Sequence, residues 1–388
     1  MSQIPTPAPE NTKKILLLGG YLHVGNGKVI EDAAIGIDGE KLVLVADART
    51  IRLNKSAYDT VIHIGGKHVY PGFIAPNSTL GLVEIDAVRA TRDFDEAGKY
   101  NPNVRSIIAY NPESKIISTV RTNGVLIAQI TPRGGRISGK SSIVELDAWN
   151  WEDALYKEDD GIHINWPPLY KKYGWWAEPG PTEINKKQEE ELKELYQFFF
   201  DAAAYFKQTQ PQEKNLRFEA LKPVFENKIN VYIHANYAKE IMQIIDFKKE
   251  FNLQNVVIIG GIESWKIADV LKENNISVMV ERPHSLPSNE DSDIDEPFKL
   301  PYLLQKAGVL FCIQNAGDME AMNTRNLPFL AGTAMAYGLS EEEAVQSITL
   351  NAAKILGIDK TLGSVEEGKD ATIFISEGNA LNMKTNQP

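Results

Sequence analysis

A chain of 388 residues is too long for one small core, but it has room for a barrel of about 250 residues and a modest second domain. Its net charge of −11 disfavours nucleic acids and anionic membrane surfaces as partners, because such surfaces are bound by a positive face. The composition, with 43% hydrophobic and 24% charged residues, is that of a soluble globular protein, and the single cysteine, Cys312, excludes an intrachain disulfide and a thiolate metal cluster.

The N-terminal segment gives no sign of a targeting sequence. Residues 1–14 are polar and contain prolines, without the apolar core of a signal peptide, and no run in the chain is apolar and long enough to span a bilayer. Such a start fits a cytosolic tail, and it fits equally an exported protein whose signal peptide has been replaced by a start methionine. We leave the compartment open between cytoplasmic and exported.

Short β-strands separated by turn residues are predicted for the first 70 residues. Apolar runs at 15–18, 34–37 and 42–45 are punctuated by glycines, and Asp38-Gly39 between the last two is a hairpin signal. The pattern predicts a small β-domain at the start of the chain.

Residues 71–82, PGFIAPNSTLGL, follow these strands. They resemble the first barrel strand of the amidohydrolase superfamily, whose pattern is Pro-Gly-hydrophobic-Ile-Asp-x-His-x-His. Ala75 stands at the position of the family's acid, and Asn77 and Thr79 stand at its two metal-binding histidines. An amide oxygen and a hydroxyl are weak, neutral ligands for the ions that imidazole binds. The resemblance therefore implies the family scaffold with a substituted metal site.

Residues 134–141, GGRISGKS, satisfy the written P-loop pattern. A phosphate cradle also needs a helix that starts at the Lys-Ser pair, whereas residues 142–146 have the pattern of a strand. We therefore interpret the segment as a glycine-rich loop from which Arg133, Arg136 and Lys140 could meet an anionic group at the pocket mouth. A second loop, 290–296, is acidic, and a solvated loop is favoured over a site for a hard cation there.

Strand and helix patterns alternate through the middle of the chain, which implies a parallel sheet closed into a barrel. The aromatic-rich stretch 149–212 does not show this pattern, and it either contains the middle strands or is an insertion beside the barrel. The predicted later strands lie at 125–130, 231–235, 256–259, 276–280 and 309–313.

Residues 362–371, LGSVEEGKDA, resemble the family signature Gly-Ser-hydrophobic-x-x-Gly-Lys-x-Ala-Asp, and a β-rich run ends at residue 375. The resemblance thus covers about 14–375. It implies an α/β fold, a TIM-type (β/α)8 barrel with a composite β-sandwich domain formed by both termini. The implied boundaries are 1–70 and 357–388 for the sandwich and 71–356 for the barrel.

The resemblance also places the expected site at the ends of the barrel strands. His234 matches the family's strand-five histidine, Gly260 stands where the strand-six histidine belongs, and the closing aspartate falls near Ala316. The catalytic candidates are His234 and Asp318. The candidates for ligand binding are Asn77, Thr79, Asn236, Gly260, Gly261, His284, Asn315 and Arg136.

These candidates do not form the usual binuclear metal centre of the family. A catalytic zinc site needs at least three protein ligands, and His234, His284 and Asp318 are weak candidates for that role. We therefore expect no cofactor, or at most one weakly held divalent ion such as zinc. Ordinary structural roles are the favoured explanation for His234, as a hydrogen-bonded barrel histidine, and for His284, as a loop cap.

Two functions from different classes follow. The family resemblance implies a hydrolase of carbon–nitrogen bonds other than peptide bonds, similar to the imidazolonepropionase-like and dihydroorotase-like members. The substituted metal positions favour instead a non-catalytic pseudoenzyme that binds a small ligand or a protein partner. In both cases we expect a small-molecule ligand in the barrel mouth, no nucleic acid and no membrane span, and we leave a homo-oligomer open.

Overall fold

The computed structural model describes residues 7–175, 178–208, 213–287, 292–317 and 319–385. The strands in these residues are β1 (Lys14–His23), β2 (Val29–Asp38), β3 (Lys41–Asp47), β4 (Thr60–His63), β5 (His68–Pro71), β6 (Phe73–Ser78), β7 (Val125–Ile130), β8 (Ile137–Glu145), β9 (Leu155–Asn165), β10 (Tyr170–Trp175), β11 (Glu178–Ile184), β12 (Asn230–Ala235), β13 (Val256–Gly260), β14 (Ser277–Val280), β15 (Phe311–Ile313) and β16 (Ile373–Ser376).

The α-helices are α1 (Lys115–Arg121), α2 (Trp151–Ala154), α3 (Gln188–Phe206), α4 (Leu216–Phe225), α5 (Ala238–Glu250), α6 (Ala268–Glu273), α7 (Glu296–Ala307), α8 (Glu320–Asn323), α9 (Leu327–Ala336), α10 (Glu341–Ser347) and α11 (Leu350–Leu356). Short 3-10 helices lie at Lys55–Ala57, Arg89–Thr91, Ser106–Ala109, Ser264–Ile267 and Thr324–Asn326. Within the described part of the chain, the search for a helix able to cross a bilayer finds none.

Both termini contribute to one six-stranded sheet in the order β16-β5-β1-β2-β3, with β4 beside β1. The β2–β3 hairpin turns at Gly39, whose φ of +59° is in the left-handed region that glycine adopts without strain. β16 pairs antiparallel with β5, so the end of the chain returns to its beginning. This confirms the expected separate β-sheet built from both termini, while the exact domain boundaries stay a prediction.

Eight strands form a near-closed barrel in the order β6-β7-β8-β9-β12-β13-β14-β15, which confirms the predicted barrel. The sheet differs from the expected all-parallel pattern at one strand, because β8 runs antiparallel to both β7 and β9. Residues 131–136 join β7 to β8, and this connection is too short for the crossover that two parallel strands require. β8 also runs through Lys140 and Ser141, which confirms a strand in place of a P-loop helix.

The stretch 149–212 contains both of the alternatives left open by the sequence. β9 is a central barrel strand, whereas β10 and β11 form a separate two-stranded hairpin. α3 follows the hairpin and packs its buried aromatic face, including Phe199, against Phe247 of α5. The hairpin is therefore an insertion between the fourth and fifth barrel strands, and it reaches the mouth of the barrel.

The alternation of inward and outward side chains along the barrel strands explains where the polar residues of the site lie. Inward side chains such as Ile127, Ile143, Tyr232, Met279 and Cys312 form a buried apolar cluster that α11 closes from one end. Because side chains on one face of a strand recur every two residues, the next inward positions toward the mouth are Gln129, Ser141, His234, Glu281 and Gln314. The side chains inside the barrel thus change from apolar to polar over two residues along each of these strands.

Candidate active site

A cavity of ≈ 920 Å³ opens at the end of the barrel where most of the strands terminate. It is lined by strand-end residues, among them Asn77, His234, Asn236 and Gly260, and by His284 from the loop after β14. The hairpin adds a further wall through Tyr170 and Lys172. The structure therefore brings five of the residues selected from the sequence into one cavity, where their roles in binding stay a prediction.

Asp160 is the most deeply buried carboxyl group of the barrel, with 1% of its surface exposed. Three side chains donate hydrogen bonds to it. Gln129 accepts a hydrogen bond from the backbone N–H of Asn77, so its other amide atom, Nε2, donates to Asp160 at 2.9 Å. The Tyr232 hydroxyl accepts from Asn230 and donates to Asp160 at 2.6 Å. Burial raises the pKa of Asp160, and the hydrogen bonds from Tyr232 and its other donors oppose that shift.

Ser141 connects Asp160 to two histidines through hydrogen bonds. Its hydroxyl donates to Asp160 at 2.7 Å, so its oxygen must accept from His163, whose Nε2 lies 2.9 Å away. His163 then carries its proton on Nε2, and its Nδ1 accepts from Nε2 of His234 at 3.2 Å. Hydrogen counting therefore assigns the Nε2–H tautomer to both rings. It leaves Nδ1 of His234, in the cavity wall, as an unprotonated acceptor.

Both imidazoles are neutral at neutral pH. Burial, with a smaller contribution from the positive charge of Arg133, lowers the pKa of His234 to about 3. Burial and the neighbouring His234 lower the pKa of His163 well below its usual value. His163 is fully buried and stacks on Tyr232 with ring centroids 4.7 Å apart, whereas His234 is only half-buried because it faces the cavity.

Asn77 has the strained backbone that often marks a functional strand end. Its φ of +49° is in the left-handed region, which asparagine adopts more readily than most residues. Its Nδ2 donates to Gln314 at 2.5 Å and so links β6 to the end of β15. Arg133 donates to the Asn77 carbonyl and to Glu320, each at 2.8 Å, which holds the strand end in place.

Two amide oxygens of the cavity wall have no hydrogen-bond partner among the described residues. They are Oδ1 of Asn77 and Oδ1 of Asn236, and both are buried. Gly260 allows the second to lie where it does, because a Cβ at that position would be 2.3 Å from Asn236 Oδ1. Buried acceptors without donors are costly, and these two belong to side chains that line the cavity.

The outer wall of the cavity carries charged groups of both signs. Lys172 and Arg282 supply cations, and Glu281 lies next to Arg282. Burial raises the pKa of Glu281, an effect that Lys172 and Arg282 partly offset. His284 is hydrogen-bonded through Nε2 to the Thr333 hydroxyl at 2.6 Å, and burial lowers its pKa.

The remaining selected residues lie outside the lining of this cavity, as far as the described residues show. Asn315 is hydrogen-bonded to the Glu320 carbonyl and borders a small neighbouring pocket. Arg136 pairs with Glu191 of α3 and donates to the Asn165 carbonyl. Thr79 is buried without a partner for its hydroxyl, and Gly261 lies behind the wall with φ +62°. Asp318 falls outside the described residues.

The sequence reasoning missed His163, Asp160 and Ser141. His163 lies in the alternating run Ile162-His163-Ile164 just before Trp166 and two prolines, which is a strand signal within the stretch that was not assigned. Ser141 could not be placed, because the reversed direction of β8 brings this residue to the level of the mouth.

Known proteins are similar to this chain in sequence and in fold. Residues 220–387 match the sequence profile of the amidohydrolase family. Imidazolonepropionase from Flavobacterium johnsoniae is 26% identical over 160 residues, or 38% of this chain and 39% of that protein. The same-named protein of Flavobacterium psychrophilum is 24% identical over 168 residues, or 38% and 41% of the two chains. The matched part therefore spans about two fifths of these relatives.

A crystal structure of an amidohydrolase from Thermotoga maritima MSB8 aligns over 96% of both chains with a TM-score of 0.79 and 24% identity, so the two share a fold. The chain thus resembles the amidohydrolase superfamily in the sequence of residues 220–387 and in its fold. The resemblance drawn from residues 71–82 and 362–371 is thereby confirmed at the level of the superfamily.

The match to the amidohydrolase family raises the question of a metal in the barrel. Among the described residues, the barrel has no three His, Cys, Asp or Glu side chains whose ligand atoms lie within 4.8 Å of one another. His163 and His234 form a pair whose ring atoms are already hydrogen-bonded. A catalytic zinc needs at least three protein ligands, so these residues do not fit the binuclear centre of the amidohydrolase superfamily. The loss of that centre stays a prediction.

Proposed function

We propose that the chain is a hydrolase that opens a carbon–nitrogen bond, other than a peptide bond, in a small ring compound bound in the barrel cavity. The match of residues 220–387 to the amidohydrolase family and the similarity to imidazolonepropionases support this class of reaction. The observation that carries the proposal is the hydrogen-bond chain from Asp160 through Ser141 and His163, which holds His234 in one neutral tautomer.

The cavity walls suit such a ring compound. The volume of the cavity, ≈ 920 Å³, lies within the range of about 300–1,000 Å³ that is usual for small-molecule sites. Asn77 and Asn236 line the cavity with amide side chains, a type of group that hydrogen-bonds ring N–H and C=O groups. Lys172 and Arg282 bind an anionic substituent or a carbonyl oxygen. The chemistry of the wall is therefore that of a site for a cyclic amide with an acidic side chain.

His234 acts as the base in this account. Its Nδ1 accepts a proton from a water molecule as the water oxygen bonds to the ring carbonyl carbon. The carbon–nitrogen bond then breaks, and the proton passes from His234 to the departing nitrogen, so that the products are the ring-opened acid and amine. Because the pKa of His234 is lowered to about 3, the imidazolium readily gives up this proton, but the base is weak.

A second candidate is ligand binding without turnover. It is favoured by one observation, that the described barrel residues supply an imidazole pair where a catalytic metal needs three ligands. The cavity walls would then bind the same ring compound, and His234 would be a hydrogen-bond acceptor for it.

A turnover assay combined with a binding assay distinguishes the hydrolase from ligand binding without turnover. Cyclic amides and ureas with a carboxylate side chain, including imidazolonepropionate, are incubated with the protein, and mass spectrometry detects the addition of one water. We expect His234→Gln to lower kcat/KM by roughly 10²- to 10⁴-fold, the usual contribution of a general base. His63→Gln is the matched control, because His63 is exposed on β4.

Calorimetry with the same compounds decides the outcome. Saturable binding with turnover that depends on His234 supports the hydrolase, and saturable binding without turnover supports the second candidate. Turnover that is equal in the wild type and in His234→Gln would contradict the role given to His234, whichever ring compound is used.

A further inference from the structure

His23, Glu341 and Glu342 form a cluster far from the barrel cavity, at the junction of the terminal sheet and helix α10. His23 ends β1 and is 1% exposed, and the two glutamates form the first turn of α10. One ligand atom from each of the three lies within 4.8 Å of the others. The distances are 2.6 Å from His23 Nδ1 to Glu342 Oε1 and 4.0 Å from His23 Nε2 to Glu341 Oε1.

The charges of this cluster do not balance. Among the described residues, the ion pairs of Glu341 and Glu342 are both with His23. A histidine can carry at most one positive charge, so at least one of the two carboxylates has no charge to oppose it. Glu342 is only 18% exposed along its side chain, and its buried Oε2 has no hydrogen-bond partner in the part of the chain that the structure describes. A buried carboxylate oxygen in that position calls for a cation that the protein itself does not supply.

The ring of His23 is oriented as a metal ligand would be. Its Nε2 lies 2.9 Å from Nδ1 of His68, and its face stacks on Tyr70 with ring centroids 4.2 Å apart. Without a metal, Nδ1–H donates to Glu342 at 2.6 Å; a metal ion would replace that proton while Nε2–H donates to His68. Metal-bound histidines are fixed in this way, by a hydrogen bond from the nitrogen that does not bind the metal.

We propose that His23 Nδ1 and the carboxylates of Glu341 and Glu342 bind one Zn²⁺ ion, which links the terminal sheet to the barrel. One imidazole and two carboxylates are ligands that zinc accepts, with water in the fourth position. Tetrahedral bonds of about 2.0–2.1 Å separate the ligand atoms by roughly 3.3 Å. The ligand atoms of this cluster lie within 4.8 Å of one another, so the side chains must adjust to bind the ion. Glu341 is 40% exposed, which gives the ion a path from solvent.

Zinc titration of the metal-stripped full chain against a chromophoric chelator tests this site. We expect one saturable zinc per chain, with a higher melting temperature when zinc is bound, because the ion binds the folded state. Glu342→Gln should weaken zinc binding at least ~10-fold and abolish the rise in melting temperature. His68→Gln should weaken binding by ~10- to 100-fold through the orientation of His23.

Two further variants separate this site from other histidines. His63→Gln changes an exposed histidine of the same sheet, and His234→Gln removes an imidazole of the barrel; both should bind zinc like the wild type. His23→Gln removes a ligand and should also weaken zinc binding. If His23→Gln does not fold, Glu342→Gln tests the site in its place. The proposal is overturned if the wild type shows no saturable binding, or if Glu342→Gln binds zinc as the wild type does.

Discussion

Replacing Asp160 by asparagine is expected to lower kcat/KM on the order of 10³-fold while ligand binding persists. Gln129 and Tyr232 both donate to Oδ2 of Asp160, so the asparagine oxygen takes that position and its Nδ2 faces Ser141. Ser141 must then donate to His163, which inverts the tautomers of both histidines. Inversion of a catalytic histidine's tautomer has a cost of this order.

Kinetics and calorimetry on the same preparations measure this effect. Asp246→Asn makes the same chemical change at an exposed position of α5 and should leave kcat/KM unchanged. If Asp160→Asn retained wild-type turnover, the hydrogen-bond chain would not set the state of His234. If it lost ligand binding together with turnover, the change would have disturbed the cavity and not only the tautomers.

Acidification is expected to destabilise the folded protein through the same two histidines. The pKa of His234 is lowered to about 3, and that of His163 is lowered as well, from the ordinary value of 6.5 that both have in the unfolded chain. Below pH 6.5 the unfolded state therefore binds more protons than the folded state. The stability that these groups contribute is fully present above pH 6.5 and is lost as the pH falls toward 3.

The size of the effect follows from the number of protons. Each neutral buried imidazole changes the free energy of unfolding by at most about 1.4 kcal/mol per pH unit, so the pair contributes roughly 2–4 kcal/mol between pH 6.5 and pH 5. Urea unfolding at several pH values measures it. The double variant His163→Gln/His234→Gln should show a flatter dependence on pH, and an identical slope in both proteins would contradict the assignment of two neutral buried histidines.

Much of the barrel could be predicted from the sequence because its signals are local. The strand at 73–78, the run before His234 and the turn at Gly260 each have the composition of a strand end, and the family motif fixes their register. These residues do meet in one cavity. The terminal sheet was predictable for the same reason, since the hairpin at Gly39 and the run near Ile373 are short and punctuated by glycine.

The hydrogen-bond chain and the proposed zinc site depend on contacts between distant residues. Ser141 reaches His163 because β8 runs against its neighbours, and no single run of residues shows that reversal. His23 and Glu342 are 319 residues apart, so their contact follows only from the packing of α10 on the terminal sheet. Hydrophobic residues that recur every two or every 3.6 residues identify strands and helices, but this pattern does not show which strands and helices contact one another.

The central claim is that Asp160 presents a neutral His234 to the cavity through Ser141 and His163. Nitrogen-15 NMR of the histidine side chains at pH 7 tests it most directly, with His163→Gln and His234→Gln used to assign the signals. We expect both rings to be neutral Nε2–H tautomers in the wild type and Nδ1–H tautomers in Asp160→Asn. An imidazolium signal from either ring at pH 7, or an Nδ1–H tautomer of His234 in the wild type, would contradict the claim.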